Sequence, residues 1–255
     1  MDLGIKGRVA LIAAASQGLG FACACALAAE GVRIAICARN AERLAEAVHQ
    51  IRKQSGAEVF AQATDVKNPE ELRHFVAAVN QTFGHVDICI ANAGGPPAKP
   101  FRETTPEDWH AAVDANLMST VNLAREVLPG MCDRQWGRFL TITSAAVKQP
   151  IEGLVLSNAV RAAVAGLTKT LANECGPFNV LVNNLCPGYT ATSRLESLAT
   201  GNAEIRERWL KQIPLGRFGT PEEFGAVAAF LCSEQAGYVT GVSLAIDGGL
   251  VRSLL

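Results

Sequence analysis

Val9-Ala10-Leu11-Ile12-Ala13-Ala14-Ala15-Ser16-Gln17-Gly18-Leu19-Gly20 is the stretch on which the fold turns. Its first half is an unbroken apolar run, the pattern of a strand buried on both faces. Its second half is a small, polar, glycine-bearing turn that leads into a helix. A helix start of this kind presents backbone N–H groups that can hold a pyrophosphate, and glycine lets that group approach closely. Taken alone the motif is weak, because many helices begin with glycine. The segments further along the chain decide its meaning.

Further apolar runs read as buried parallel strands over residues 32–37, 59–63, 86–91, 139–142, 180–185 and 243–246, after the first at 9–14. Amphipathic helices separate them. Leu72, Phe75, Val76, Val79 and Phe83 keep helical spacing, as do Phe224, Val227, Ala228 and Leu231. Three helices open alike, at Asn68-Pro69-Glu70-Glu71, Thr105-Pro106-Glu107-Asp108 and Thr220-Pro221-Glu222-Glu223. Each has a side chain to cap free N–H groups, a proline in the first turn and an acid suited to the positive helix end. Strand–helix alternation of this kind predicts an α/β fold: one Rossmann-like, doubly wound parallel sheet of about seven strands with helices on both faces. No composition shift or linker divides the chain, so residues 1–255 are expected to form one domain. Residues 189–214 form a long polar stretch with Arg194, Arg206, Arg208 and Trp209, expected to be irregular and to serve as a substrate lid.

The net charge of -1 gives no basic field for nucleic acid or an anionic membrane surface. No apolar run reaches spanning length, and Met1 to Gly7 holds no secretory hydrophobic segment. The eight cysteines are scattered and form no C-x-x-C pair, as expected of small buried hydrophobes in a reducing cytoplasm. His49, His74, His85 and His110 are isolated, so no metal site is expected.

A series of segments in a fixed order resembles the short-chain dehydrogenase/reductase family over essentially the whole chain. Asp65-Val66 follows the third strand, Asn92-Ala93-Gly94 the fourth, and Pro187-Gly188 the sixth, with Thr192 five beyond Pro187. Tyr238-Val239-Thr240-Gly241 and Asp247-Gly248-Gly249 complete the set. The resemblance implies a nicotinamide dinucleotide held by Ala14, Ser16, Gln17, Gly18, Leu19 and Gly20 at the pyrophosphate. It places Asp65 and Val66 at the adenine, Asn92, Ala93 and Gly94 along the next loop, and Pro187, Gly188 and Thr192 at the carboxamide. The glycine turn departs from the family's T-G-x-x-x-G-x-G, with Ala13 for the threonine and Ala14 for the first glycine. Alanine suits that place if its φ stays negative. Where an NAD-binding member carries an acid for the ribose hydroxyls, this chain has Ala38 followed by Arg39. A guanidinium suits a 2′-phosphate, so NADP(H) is favoured over NAD(H).

At the chemical end the resemblance breaks. The family places a serine after the fifth strand, a tyrosine thirteen residues on and a lysine four beyond that. Ser144 is present, but the next two positions are Ser157 and Arg161. Family membership implies that Ser144 polarises the substrate oxygen and that Asn116 supports the proton relay. Ser157 and Arg161, four apart, share a helix face. Arg161 can hold the ribose and supply a fixed positive charge, but a guanidinium relays no proton. An aliphatic hydroxyl is a far weaker acid than a phenol of pKa ~10. The loss of a tuned general acid forfeits about 10²–10⁴ in rate, roughly 3–5 kcal/mol of barrier. Ser157 is therefore either part of an altered relay or a small residue filling the space of the missing tyrosine. Tyr189, Gly95 and Lys148 are candidates for the substrate wall, and Lys99 for the rim.

Three functions fit these residues. One is an NADP(H)-dependent reductase acting on the carbonyl of a small molecule with altered proton delivery. Another reduces an imine, whose protonated form needs no acid. The third binds nucleotide without turnover, as a sensor or a regulatory subunit. The resemblance also implies a homotetramer, built through helices 106–128 and 153–175 and through the tail 243–255.

Overall fold

Seven strands arise where the apolar runs lie: β1 (Val9–Ile12), β2 (Arg33–Ala38), β3 (Val59–Ala63), β4 (Ile88–Ala91), β5 (Gly137–Ile142), β6 (Val180–Pro187) and β7 (Ser243–Ile246). They form one sheet in the order β3-β2-β1-β4-β5-β6-β7, and every pairing is parallel. The structure is a computed structural model that describes residues 1–199 and 202–254. Thr200 and Gly201 of the expected lid, and Leu255 of the expected tail, lie outside the described residues.

The order reverses between β1 and β4, two strands that are neighbours in space but not in sequence. Ala10 pairs with Ile34 on one side and with Ile88 on the other. Crossovers from β1 leave toward β2, and those from β4 leave toward β5. Their loops diverge and open a crevice at the carboxyl ends of the strands, where ligands bind in sheets of this kind.

Helices cover both faces. α1 (Gly18–Ala29), α2 (Ala41–Ser55) and α9 (Pro221–Leu231) bury Leu27, Leu44, Ile51 and Phe224 against Ile12, Ile34 and Ile90. α3 (Pro69–Phe83), α5 (Ser119–Asp133) and the end of α6 (Val155–Cys175) bury Phe75, Leu123 and Cys175 against Leu11, Cys89 and Val182. Strand residues alternate between the two cores, which explains why β1 and β4 are apolar throughout. The three caps form as their spacing predicts. Asn68 accepts from Glu70 N and Glu71 N, and Thr105 with Asp108 and Thr220 with Glu223 close reciprocal capping boxes.

Three expectations need correction. β1 ends at Ile12 rather than 14, because the chain turns at Ala14 with φ +49°. The alanine there does not keep φ negative; it takes the left-handed conformation that glycine adopts without strain. The helix expected over 106–128 is continuous but not regular. α4 (Pro106–Ala112) passes into a π-helical turn, Val113–Met118, before α5 begins, and Asn116 lies inside that turn. The polar stretch 189–214 is not irregular: it carries α7 (Ser193–Ala199) and α8 (Ala203–Gln212). Asn202 caps α8 by accepting from Glu204 N and Ile205 N, and Lys211 pairs with Glu207 one turn apart at 2.7 Å. Such local devices support a helix with little buried surface.

Candidate active site

A cleft of about 1160 Å³ runs across the carboxyl ends of β1, β2, β4, β5 and β6. Its walls bring together Ala14, Ser16, Gln17, Gly18, Leu19, Arg39, Asp65, Val66, Asn92, Ala93 and Gly94. Ser144, Ser157, Arg161, Pro187, Gly188, Thr192, Tyr189 and Gly95 line it as well. Gly20, Asn116 and Lys148 are not on its surface.

At the switch point, Asn92 Nδ2 donates to Ala14 O at 3.1 Å and ties the β4 loop to the glycine turn. Gly20 lies beneath that bond. A Cβ on it would sit 2.7 Å from Asn92 Nδ2 and 2.9 Å from Ala14 O. Its role is to let helix and strand approach, and it acts from behind the cleft wall. Gly18, with φ +62°, faces Thr192 across the cleft. The α1 start carries no acidic side chain in its first turn and its N-cap makes no side-chain bond, so its free N–H groups face the opening. These features fit a pyrophosphate.

Beyond the turn, Arg39 and Arg43 stand together on the wall with Lys67. Asn40 caps α2 by accepting from Arg43 N at 2.7 Å, which fixes Arg43 in the first turn beside Arg39. Arg43 was legible as the third residue after a capping asparagine, yet nothing in its type distinguished it from a solvated helix cation. Asp65 is the single acid of the cleft wall, and its carboxylate lies 3.8 Å from Lys67 Nζ.

At the other end, β5 delivers Ser144 into the opening as the cap of a short turn, with its Oγ accepting from Ala146 N at 3.1 Å. The hydroxyl proton remains available to a ligand. Asn158 clamps the loop before α6, accepting from Ile151 N at 3.2 Å and donating to Ile151 O at 2.9 Å. This clamp sets the start of α6 and so places Ser157 and Arg161 one turn apart on the wall. Ser157 is buried and, among the described residues, its hydroxyl meets no protein partner.

Arg161 Nη1 donates to Ile142 O at 3.0 Å and to Thr143 O at 2.6 Å. The guanidinium thereby fastens α6 to the end of β5, just before Ser144. Thr143 is held from below by Asn184 Oδ1 at 2.7 Å, and Asn184 in turn donates to Ser243 Oγ at 3.1 Å. Burial, followed by the like charge of Arg194, lowers the Arg161 pKa to about 10, so it stays charged at neutral pH.

Asn116 is buried, but its Nδ2 donates to Ala112 O at 3.2 Å, behind the wall formed by Ala112 and Ala115. Lys99 is taken up by Asp108 at 2.7 Å. The Tyr189 ring stacks on Trp209 at 4.8 Å and meets Phe218 edge-on at 6.5 Å. Burial raises the pKa of its phenol, partly offset by Arg208. A second chamber of about 620 Å³ lies behind it under α8 and shares Ile151, Tyr189, Leu198 and Leu250 with the main cleft. The residue that sequence reasoning placed only generally in the lid is Arg194. It reaches from α7 across the opening, and its Nη2 donates to Pro96 O at 2.6 Å.

Residues 13–251 match the family model described as enoyl-(acyl carrier protein) reductase. With the reversed parallel sheet, this places the chain in the short-chain dehydrogenase/reductase family. Within it the chain is of the 3-oxoacyl-reductase type. It is 32% identical to the 3-oxoacyl-[acyl-carrier-protein] reductase of Aquifex aeolicus, over 98% of this chain and 100% of that protein. It is 35% identical to the acetoacetyl-CoA reductase of Rhizobium meliloti, over 95% of this chain and 98% of that one. The crystal structure of L-sorbose reductase from Gluconobacter frateurii, complexed with NADPH and L-sorbose, superposes with a TM-score of 0.93 at 34% identity, covering 100% of both chains. Among the described residues no helix is long and apolar enough to cross a membrane, and no group of three His, Cys, Asp or Glu could hold a metal.

Proposed function

We propose that this protein is an NADP(H)-dependent oxidoreductase that reduces the carbonyl of a small molecule, with proton delivery unlike that of its tyrosine-bearing relatives. One observation carries the reading. A single cleft joins a glycine turn built for a pyrophosphate, two arginines suited to a 2′-phosphate, and a hydroxyl pair, Ser144 and Ser157, at the far end. The relatives named above are reductases, one of them with NADPH in its crystal structure.

NADP(H), when bound, supplies the hydride. The glycine turn and the α1 start would hold its pyrophosphate, Arg39 and Arg43 its 2′-phosphate, and Pro187, Gly188 and Thr192 its carboxamide end. Ser144 donates a hydrogen bond to the substrate oxygen and orients the carbonyl. Negative charge developing on that oxygen is stabilised by the fixed charge of Arg161, which is buried and already oriented by two carbonyls. The one proton that completes the alcohol would pass through the hydroxyl of Ser157, which meets no protein partner among the described residues and would be reprotonated by water in the cleft. α7 and α8 would cover the site and limit the access of bulk water. Two guanidinium groups beside the reaction centre repel a protonated imine, which favours C=O over C=N as the reducible group. The described tail leaves Leu254 fully exposed and β7 on the sheet edge, which supports assembly with further copies as a homotetramer.

The test follows NADPH oxidation against panels of ketones and cyclic imines, with Ser144→Ala as a control and with dinucleotide binding measured by calorimetry. Turnover of ketones, lost in Ser144→Ala, supports the reading. Tight NADPH binding with no turnover on either panel refutes it in favour of a sensor or regulatory subunit. Absence of dinucleotide binding refutes both.

A further inference from the structure

We infer that the substrate carries a carboxylate, held between Arg161 and Arg194 beside its reducible carbonyl. The inference rests on the reductase reading and narrows its substrate class.

Both guanidinium groups border the same end of the cleft, one from below on α6 and one from the lid on α7. Among the described residues neither has a carboxylate within 4.0 Å, and Asp65, the one acid of the wall, is at the adenosine end beside Lys67. Arg161 is 92% shielded from solvent, with 8% of its surface exposed. A buried guanidinium without a counter-charge is costly. Elsewhere the chain pairs its buried arginine: Arg138, 1% exposed, meets Glu234 Oε2 at 3.4 Å. The missing counter-charge at Arg161 is therefore specific to the cleft.

The anchoring of the two side chains points the same way. Each is tethered through a single nitrogen to neutral backbone oxygens: Arg161 Nη1 to Ile142 and Thr143, Arg194 Nη2 to Pro96. Such bonds orient a guanidinium without neutralising it. Among the described residues the Nε and Nη2 of Arg161, and the Nε and Nη1 of Arg194, meet no acceptor. On Arg161 these adjacent donors form the fork that fits a carboxylate, while Arg194, whose Nε and Nη2 edge faces Gly95 and Pro96, adds Nη1 as a single charged donor. Gly95 makes the seat for Arg194, since a Cβ there would lie 3.2 Å from Nη2 and 3.3 Å from Nε. A preformed fork on Arg161, with the anchored guanidinium of Arg194 as a second positive group, stands beside Ser144 and Ser157 and selects an oxo acid over a neutral ketone.

A pyrophosphate oxygen of the dinucleotide is the other anion that could reach Arg194, and the experiment separates the two. Pyruvate, acetoacetate and levulinate are compared with their methyl esters. Binding is measured by calorimetry on the protein alone and loaded with NADP⁺, and NADPH-dependent turnover is followed in parallel. At one or more chain lengths the acid should bind about 10- to 100-fold more tightly than its ester, the range set by a charge-assisted pair of hydrogen bonds. Arg194→Gln should abolish that preference, Arg194→Lys should restore part of it, and the NADPH dissociation constant should stay within about threefold. Esters that bind as well as acids at all three lengths overturn the inference, and their reduction would leave the reductase reading standing. Arg194→Gln that weakens NADPH tenfold while keeping the acid preference overturns it too, by assigning Arg194 to the pyrophosphate. Failure of the protein to bind NADPH at all sinks the reductase reading and this inference with it.

Discussion

Alanine at Gly20 puts the cofactor turn under a load that can be worked out from three distances. The new Cβ would lie 2.7 Å from Asn92 Nδ2, 2.9 Å from Ala14 O and 3.2 Å from Ala15 Cα. The first two atoms are the donor and acceptor of one hydrogen bond, 3.1 Å long, that ties β4 to the glycine turn. A methyl group cannot enter without prising that bond apart. The lost bond is worth about 0.5–1.5 kcal/mol, and overpacking adds about 1–3 kcal/mol. Better helix propensity returns about 0.5–1 kcal/mol. The net loss is about 1–3 kcal/mol, or a fall in Tm of about 3–10 °C for a chain of this size. Because the displaced backbone supplies the N–H groups for the pyrophosphate, NADPH should bind about tenfold more weakly or worse. Thermal melting and a fluorescence titration with NADPH measure the two effects separately. The double variant Gly20→Ala/Asn92→Ala removes the nearest obstructing atom, so its loss should fall short of the sum of the single losses by about 1 kcal/mol. A Gly20→Ala protein that melts at or above the wild-type temperature would refute the packing argument. One that melts low but binds NADPH normally would refute the link from this bond to the cofactor.

Arg39→Ala combined with Arg43→Ala should weaken NADPH binding about 10- to 100-fold and leave NADH nearly unchanged; equal losses for both dinucleotides, read by calorimetry, would remove the 2′-phosphate assignment. Ser157→Tyr with Arg161→Lys should raise ketone reduction by about 10²–10⁴ if the pocket otherwise retains the family's geometry, and steady-state NADPH oxidation reports it. Burial raises Cys37 and Cys232 from 9.0 to about 12. Between those values the folded protein keeps thiol protons that the unfolded chain has lost. Their contribution is complete below pH 9 and declines as pH rises toward 12, so Tm by circular dichroism should drop over that window. In Cys37→Ala/Cys232→Ala the alkaline drop should be shallower, and an unchanged slope would count against the assignment.

The sequence revealed the sheet well because a doubly covered parallel strand must be apolar on both faces, and few other elements leave so continuous a run. Helix starts were equally legible, since Asn68, Thr105 and Thr220 are each marked by a proline next in the chain and an acid three residues on. Backbone states that depend on tertiary closure were harder to read. Ala14 is forced to φ +49° by a turn that must deliver its carbonyl to Asn92, and nothing in Ala-Ala-Ser signals that demand. The π turn around Asn116 was invisible because Trp109, Val113 and Leu117 keep helical spacing whether or not one residue bulges. The lid helices escaped notice for a different reason. α8 buries no residue completely and is held by a cap and an ion pair, so it lacks the apolar stripe that marks core helices. Arg194 could not be singled out, because only the path of the chain shows that α7 brings it over Gly95.

On the proposed reading, Ser157 and Arg161, standing where the family pattern has tyrosine and lysine, mark a change in charge logic rather than damage. A lysine that tunes a phenol acts by standing close to it while holding the ribose. Arg161 is instead bolted to Ile142 and Thr143, which are part of the same strand end that presents Ser144. Its position is fixed by the sheet, and its guanidinium relays no proton. A site of that kind is poor at passing protons and good at stabilising negative charge that arises in front of it. Arg194 adds a second positive group from α7, with Pro96 as its anchor. In a chain whose net charge is -1, the cleft wall carries, among the described residues, five basic residues, Arg39, Arg43, Lys67, Arg161 and Arg194, against Asp65 alone. Three of the five stand where a phosphorylated dinucleotide would end. The other two stand where it would not reach with its 2′-phosphate, and they call for an anion of their own. On the proposed reading, the arrangement that lacks the family's tyrosine and lysine calls for an anionic substrate, through Arg161 on α6 and Arg194 on α7.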